Sequence, residues 1–84
     1  MHYLLFTTST CQKCPSFKKA LAESLTIPGR IINEQDGDFS RLANEFTVSS
    51  VPTLIVFEDE KGQYALLRTS EIAELKHFAS AHAH

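Results

Sequence analysis

Along the chain, apolar residues fall in short blocks whose spacing switches between strand-like and helix-like periods. Tyr3-Leu4-Leu5-Phe6 is a continuous apolar run of strand length followed by the polar Thr7-Thr8-Ser9-Thr10, which predicts a strand buried on both faces. From about Lys13 to Leu25, Phe17, Ala20, Leu21 and Leu25 recur at helical offsets, Lys18, Lys19 and Glu23 fall between them, and Pro28-Gly29 ends the pattern. Arg30-Ile31-Ile32-Asn33 predicts a second short strand. After Gly37-Asp38, the residues Phe39, Leu42, Ala43 and Phe46 stand at i, i+3, i+4 and i+7 and define one helical face. Thr53-Leu54-Ile55-Val56-Phe57 is the most strand-like block, and "EDEKG" separates it from Gln63-Tyr64-Ala65-Leu66-Leu67, a spacing that predicts an antiparallel hairpin with Gly62 in the turn. Last, Thr69 or Ser70 is placed to cap a helix lined on one side by Ile72, Leu75, Phe78 and Ala79. The predicted order is βαβαββα, and its first half is the signature of a parallel strand pair joined by a helix.

Composition narrows this to one small globular unit. A chain of 84 residues buries only roughly 60 to 65% of its unfolded surface, enough for one core, so residues 1–84 are read as one domain. Hydrophobic residues make up 43% of the chain, six of them Phe and none Trp, with no low-complexity tract or repeat. A net charge of -2 leaves no electrostatic footprint for nucleic acid or an anionic membrane. The amino-terminal "MHYLLFTTST" has no Lys or Arg and too short an apolar run for a signal peptide or a spanning helix of about 20 residues. The expected compartment is therefore the cytoplasm, where a permanent structural disulfide is disfavoured.

The chemistry concentrates in "TTSTCQKCPSF", which holds both cysteines of the chain, Cys11 and Cys14, between the first strand and the first helix. A thiol at a helix amino terminus meets unpaired N–H groups and the positive end of the helix dipole, and Lys13 adds a positive charge nearby. These influences favour the thiolate of Cys11, while Cys14, one turn further on and facing inward, retains a higher pKa. That asymmetry suits disulfide exchange: an exposed nucleophile attacks and a second thiol resolves the mixed disulfide. Pro15 biases Cys14 away from helical angles, so a distorted first helical turn is expected.

Two other uses of the pair stand beside this one. A zinc site needs four ligands, and beyond the two cysteines only His2, His77, His82 and His84 remain, with no second CxxC. The alternative from the binding class is a metal-handling module in which Cys11 and Cys14 grip a thiophilic ion such as copper(I) or zinc, together with the terminal histidines. Two unrelated buried cysteines are the blandest reading. Lys13 is equally well read as a solvated charge, Phe39, Phe46 and Phe57 as core, and the acidic Glu58, Asp59 and Glu60 as a solvated hairpin turn.

"SSVPTLIVF" puts Pro52 at the mouth of a strand read as central, where a proline removes a ladder hydrogen bond. By base rate alone the Val51-Pro52 bond is trans. A CxxC after the first strand, "VPT" opening the third, and the βαβαββα order together resemble the thioredoxin superfamily in its minimal, glutaredoxin-sized form. The stretch "FTVSSVPTLIVFEDEKGQ" is similar to that of thioredoxins, whereas the short strand before the CxxC resembles glutaredoxins and the small redoxins that supply ribonucleotide reductase.

The resemblance implies an α/β thioredoxin fold, a four-stranded mixed sheet flanked by two or three helices. It implies that Cys11 is the nucleophile, Cys14 the resolving thiol and Pro52 a cis-proline facing them. Val51 would offer its backbone to an extended substrate segment, and Thr10, Gln12 and Lys13 would complete the substrate surface. The implied activity is thiol-disulfide exchange on protein disulfides, with no cofactor beyond the dithiol itself. Between the cysteines the usual Gly-Pro of thioredoxins is Gln12-Lys13, the Trp before them is absent, and their buried acidic residue has no counterpart placed here. Before the last helix, "LRTSE" lacks the Gly-Gly turn with which glutaredoxins hold glutathione. A thioredoxin-reductase-like flavoprotein is thus the expected electron donor, and a glutathione-dependent cycle the alternative.

Overall fold

In the computed structural model, Leu5 and Phe6 are neighbours on one strand, both fully buried, and they enter two different hydrophobic clusters. Alternation along a strand sends successive side chains to opposite faces, so both faces of the sheet are covered. The structure describes residues 1–59 and 64–82. Within them the order is β1 (His2–Thr7), α1 (Cys14–Ser24), β2 (Gly29–Asn33), α2 (Phe39–Glu45), β3 (Thr53–Phe57), β4 (Ala65–Thr69) and α3 (Ile72–Ala81).

The four strands form one sheet in the order β2-β1-β3-β4. β1 pairs parallel with β2 and antiparallel with β3, and β3 pairs antiparallel with β4, so the sheet is mixed as expected. β3, the strand with five consecutive buried residues, is central. One face carries Leu5, Leu54 and Val56 against Phe17 and Leu21 of α1 and Leu75 and Phe78 of α3. The other carries Phe6, Ile32, Ile55 and Phe57, covered by Phe39, Leu42, Ala43 and Phe46 from α2 and its end. Phe46 tilts onto Phe57 with ring centroids 5.3 Å apart, and Phe39 meets Phe6 edge-on at 6.0 Å. Phe57 is core as expected, whereas Phe39 and Phe46 are half-buried: a two-turn helix lies over the sheet with its apolar face and has no further layer above it.

Three boundaries depart from the sequence pattern. α1 begins at Cys14 with Lys13 at its N-cap, so Cys11 lies just before the helix rather than in its first turn. Cys14 is helical although Pro15 follows it, against the expected bias, because at the first helical positions the missing N–H of a proline has no partner to lose. β4 runs through Thr69, two residues beyond the expected end at Leu67, because Arg68 and Thr69 continue the ladder opposite Ile55 and Leu54. α3 therefore starts later, with Glu71 at its N-cap and no side-chain cap there. Thr69 still serves the helix start: its Oγ accepts the Glu71 N–H at 3.0 Å and donates to the Glu74 carboxylate at 2.8 Å. Gln63, expected to open the fourth strand, Gly62 of its turn, Glu60 and His84 lie outside the described residues. No helix of the described residues is long and apolar enough to cross a membrane.

Candidate functional site

The pairing register gathers the chemistry at one end of the sheet. Thr7 pairs with Asn33, Phe6 with Thr53, and Leu54 with Thr69. The segments that leave β1, β2 and β4 and the segment that enters β3 all emerge on that side. They carry residues 8–13, 34–38, 70–71 and 48–52, so Thr10, Cys11, Gln12, Lys13, Val51 and Pro52 come from two neighbouring segments. Among the described residues, the buried polar side chains are Thr7, Thr53 and Thr69, a row across the sheet beneath this end. Thr53 Oγ donates to Ser50 O at 2.7 Å, and Thr7 Oγ donates to Ile32 O at 3.4 Å. With Thr69, the last residue of β4, bonded to the start of α3, two of the threonines tie a strand end to an adjoining segment and Thr7 ties β1 to β2. A hydroxyl is the smallest group that both packs in a core and satisfies a carbonyl there.

Cys11 and Cys14 are joined in a disulfide with Cα atoms 5.4 Å apart. Cys14, the first residue of α1, is 2% exposed, whereas Cys11 is partly exposed in the preceding loop, at the end of a turn closed by its N–H on Thr8 O at 3.3 Å. Burial thus separates the thiols as the sequence predicts. Thr10, Gln12 and Lys13 are exposed around them. Gln12 and Lys13 also line a cleft of about 310 Å³ between the start of α1 and residues 70–73 at the start of α3.

The Val51-Pro52 peptide is cis, as the resemblance implied. Pro52 is fully buried, and Val51 is half-buried against the α2 side of the core. Beside them Ser49, Ser50, Thr53, Arg68 and Ser70 line a second cleft, of about 320 Å³, which meets the first at Ser70. A larger and more apolar cleft, about 390 Å³ between Leu67 and the second half of α3, touches neither cysteine nor Pro52.

Two side chains that the sequence pattern did not single out hold these loops. Glu34, just past β2, accepts from the Ser9 backbone N–H at 2.8 Å and from the Ser9 hydroxyl, bonds that hold its carboxyl below the ordinary glutamate pKa. Arg68, on β4, donates to the Phe46 carbonyl and, at 2.5 Å, to that of Thr47, whose φ of 56° marks the left-handed end of α2. A cation on the last carbonyls of a helix also faces the negative end of its dipole. Each contact spans more than 20 residues of sequence, so no local spacing announces it.

Two of the histidines weighed as metal ligands, His2 and His82, lie away from the thiols. His2 opens β1, about 17 Å along the strand from the cysteine end, and stacks on Phe57 at 5.0 Å. His82 stacks on Phe78 at 4.1 Å near the far end of α3. Among the described residues, no three His, Cys, Asp or Glu side chains are grouped so as to hold a metal ion.

No protein-family profile matches the chain, and no curated protein sequence does. Its backbone is similar to that of thioredoxin O2 from Arabidopsis thaliana in its oxidised state, with a TM-score of 0.77 and 19% identity, covering 95% of this chain and 72% of that one. It is likewise similar to thioredoxin 1 from the thermophilic eubacterium Thermosipho africanus, at a TM-score of 0.73 and 17% identity, over 98% of this chain and 93% of that one. A malarial protein gives 0.71 and 21%, over 99% and 97%. Identities this low speak for the fold. The chain is a thioredoxin-fold protein, and the CxxC pair that it holds at disulfide distance supports a thioredoxin-like redox function.

Proposed function

We propose that the protein is a thiol-disulfide oxidoreductase that reduces disulfides in other proteins, with Cys11 as the attacking thiol and Cys14 as the resolving one. The observation that carries this is the closed Cys11–Cys14 disulfide with one partner open to solvent and the other buried at the head of α1. Two electrons and two protons from a reductant open it to the dithiol. The Cys11 thiolate, favoured by the N–H groups at the start of α1 and by Lys13, attacks one sulfur of a substrate disulfide. A Cys11–substrate bond forms, the substrate S–S bond breaks, and one substrate thiolate leaves. Cys14 then gives up its proton and attacks the Cys11 sulfur. The Cys11–Cys14 bond re-forms, the substrate's second thiolate leaves, and the reducing pair of electrons now resides on the substrate.

In this reading, the backbone at Val51, together with Pro52, Thr10, Gln12 and Lys13, receives an extended substrate segment. Main-chain recognition of that kind tolerates many protein sequences. The dithiol is its own redox group, the cytoplasm its proposed compartment, and a thioredoxin-reductase-like flavoprotein its proposed donor.

The test supplies dithiothreitol and a two-chain, disulfide-linked protein, with the appearance of free chains as readout. The wild type accelerates release over dithiothreitol alone and Cys11→Ser does not. No acceleration by the wild type overturns the reading. The metal-handling alternative is checked by titrating the reduced protein with copper(I) and zinc. Its thiolates would have to complete a ligand set without a third group close by among the described residues.

A further inference from the structure

We propose that Glu34 is a positioning residue for the Cys11 thiol: by gripping Ser9, it holds the turn that carries Cys11 in the geometry from which the disulfide to Cys14 closes. Of the two sulfurs, the Cys14 one is already placed, since that residue is buried and begins a helix. The Cys11 side hangs on a single turn, closed by the Cys11 N–H on Thr8 O at 3.3 Å. Ser9 lies inside that turn, and both its backbone N–H and its hydroxyl donate to the same Glu34 oxygen.

Glu34 is itself held. The Asn33 N–H donates to the Asp36 carboxylate at 2.8 Å, the Gln35 N–H to Asn33 Oδ1 at 3.0 Å, and the Asp36 N–H to Asn33 O at 2.9 Å. These bonds wrap the residues on either side of Glu34 in a tight side-chain and backbone turn. The anchor is therefore rigid on the β2 side and hydrogen-bonded to the moving part on the β1 side. The lowered pKa of Glu34 agrees with a carboxylate that stays charged while it accepts both bonds.

The consequence falls mainly on the dithiol form. In the oxidised protein the S–S bond itself limits the turn, whereas in the reduced protein only weak bonds keep Cys11 near Cys14. Releasing Ser9 lets the reduced turn explore more conformations, which favours the dithiol and lowers the effective concentration of one thiol at the other. Two exposed hydrogen bonds to a charged acceptor correspond to roughly a fivefold change in the dithiol-disulfide equilibrium. That is a shift of about 20 mV toward less negative potential for a two-electron couple.

The proposal rests on the redox reading only in that the pair must open and close. The experiment needs no substrate protein, so it fails or succeeds separately from the disulfide-reductase activity. The full chain is equilibrated in glutathione buffers of graded redox ratio, free thiols are alkylated, and the dithiol fraction is read by mass. Glu34→Ala is expected to shift the equilibrium roughly fivefold toward the dithiol. Glu34→Gln, whose amide oxygen accepts the same two bonds without the charge, is expected to stay within about twofold of wild type. Ser9→Ala keeps the backbone bond and loses the hydroxyl one, so it should fall between and serves if Glu34→Ala folds poorly. An unshifted Glu34→Ala overturns the proposal, as does a shift toward the disulfide. Equal shifts in the Ala and Gln variants also overturn it, by assigning the effect to charge rather than to positioning.

Discussion

Phe6 of β1 and Thr53 of β3 stand opposite one another in antiparallel register. One step beyond that pair, β1 runs through Thr7 toward the cysteine turn, while β3 is entered from Pro52. The disulfide and the cis-proline therefore share one end of the sheet because of a single strand pairing, although Cys14 and Pro52 are 38 positions apart in the sequence. A one-residue slip of β3 against β1 would turn Leu54 and Val56 out of the α1 and α3 side of the core, so burial fixes the register that builds the site.

Unequal burial of the two thiols predicts unequal trapping. Cys14→Ser is expected to accumulate covalent complexes with substrate proteins, visible on non-reducing gels and dissolved by dithiothreitol, because the mixed disulfide on Cys11 can no longer be resolved. Cys11→Ser should give none. In the reduced wild type, alkylation at neutral pH should reach Cys11 first, since Cys14 is only 2% exposed. Labelling of Cys14 first would reverse the two roles.

The threonine row makes a stability prediction. Thr69 Oγ satisfies the Glu71 N–H and the Glu74 carboxylate from a position 6% exposed. Thr69→Val preserves the shape and the β-branching but removes both bonds, and is expected to destabilise by about 1.5 kcal/mol. In a domain of this size that corresponds to a fall in Tm of roughly 6 to 12 °C. Thr69→Ser, which retains the hydroxyl, should recover most of the loss. Equal Tm values for the Val and Ser variants would show that the hydroxyl contributes nothing.

Acid sensitivity follows from the two carboxyls held in their charged form. Glu34 lies below its ordinary 4.5 through its bonds to Ser9, and Asp38 below its ordinary 3.8 through Arg41 first and Arg30 second. A folded-state pKa beneath the unfolded one contributes stability that is complete above the unfolded pKa. That contribution is lost as pH falls through the folded pKa. Urea midpoints should therefore hold steady from pH 7 to about 5 and drop below that, with a small slope because Glu34 is exposed and Asp38 partly so. The Glu34→Gln, Asp38→Asn double variant should show a flatter acid limb; an identical limb would refute the assignment.

Much of this was legible in the sequence because burial writes itself as period. Five consecutive apolar or β-branched residues at 53–57 mark a strand covered on both sides, and β3 has those bounds. Phe17, Ala20 and Leu21 mark the buried face of α1. The ends were less legible: β4 continues through Arg68 and Thr69 because Ile55 and Leu54 lie opposite, a partnership that local spacing does not encode. The cysteine pair and the "VPT" proline could be read because their chemistry is local. Glu34 and Arg68 could not, since their value comes from contacts to Ser9 and Phe46 that exist only once the chain has folded.

The electron donor is the point at which the two halves of the resemblance diverge. A glutathione cycle needs a place for the tripeptide's carboxylates beside the reactive cysteine, usually N–H groups at a helix start approached closely over glycines. The cleft that adjoins Gln12 and Lys13 ends instead at Ser70 and Glu71, where side chains occupy the approach and Glu71 brings a like charge toward an incoming carboxylate. Arg68, the cation beside the neighbouring cleft, already donates to the carbonyls of Phe46 and Thr47. A reductase that covers the surface around Cys11 needs none of these features, and Thr10, Gln12 and Val51 contribute uncharged side chains to that surface. NADPH with thioredoxin reductase is therefore expected to turn the oxidised protein over, and glutathione with glutathione reductase to do so poorly, with NADPH consumption as the readout. Glu71→Gly should raise the glutathione rate if charge and bulk at that position block the tripeptide. Efficient turnover of the wild type by glutathione alone would reverse the assignment, and turnover by neither would point to a dedicated reductase or to the metal-handling alternative.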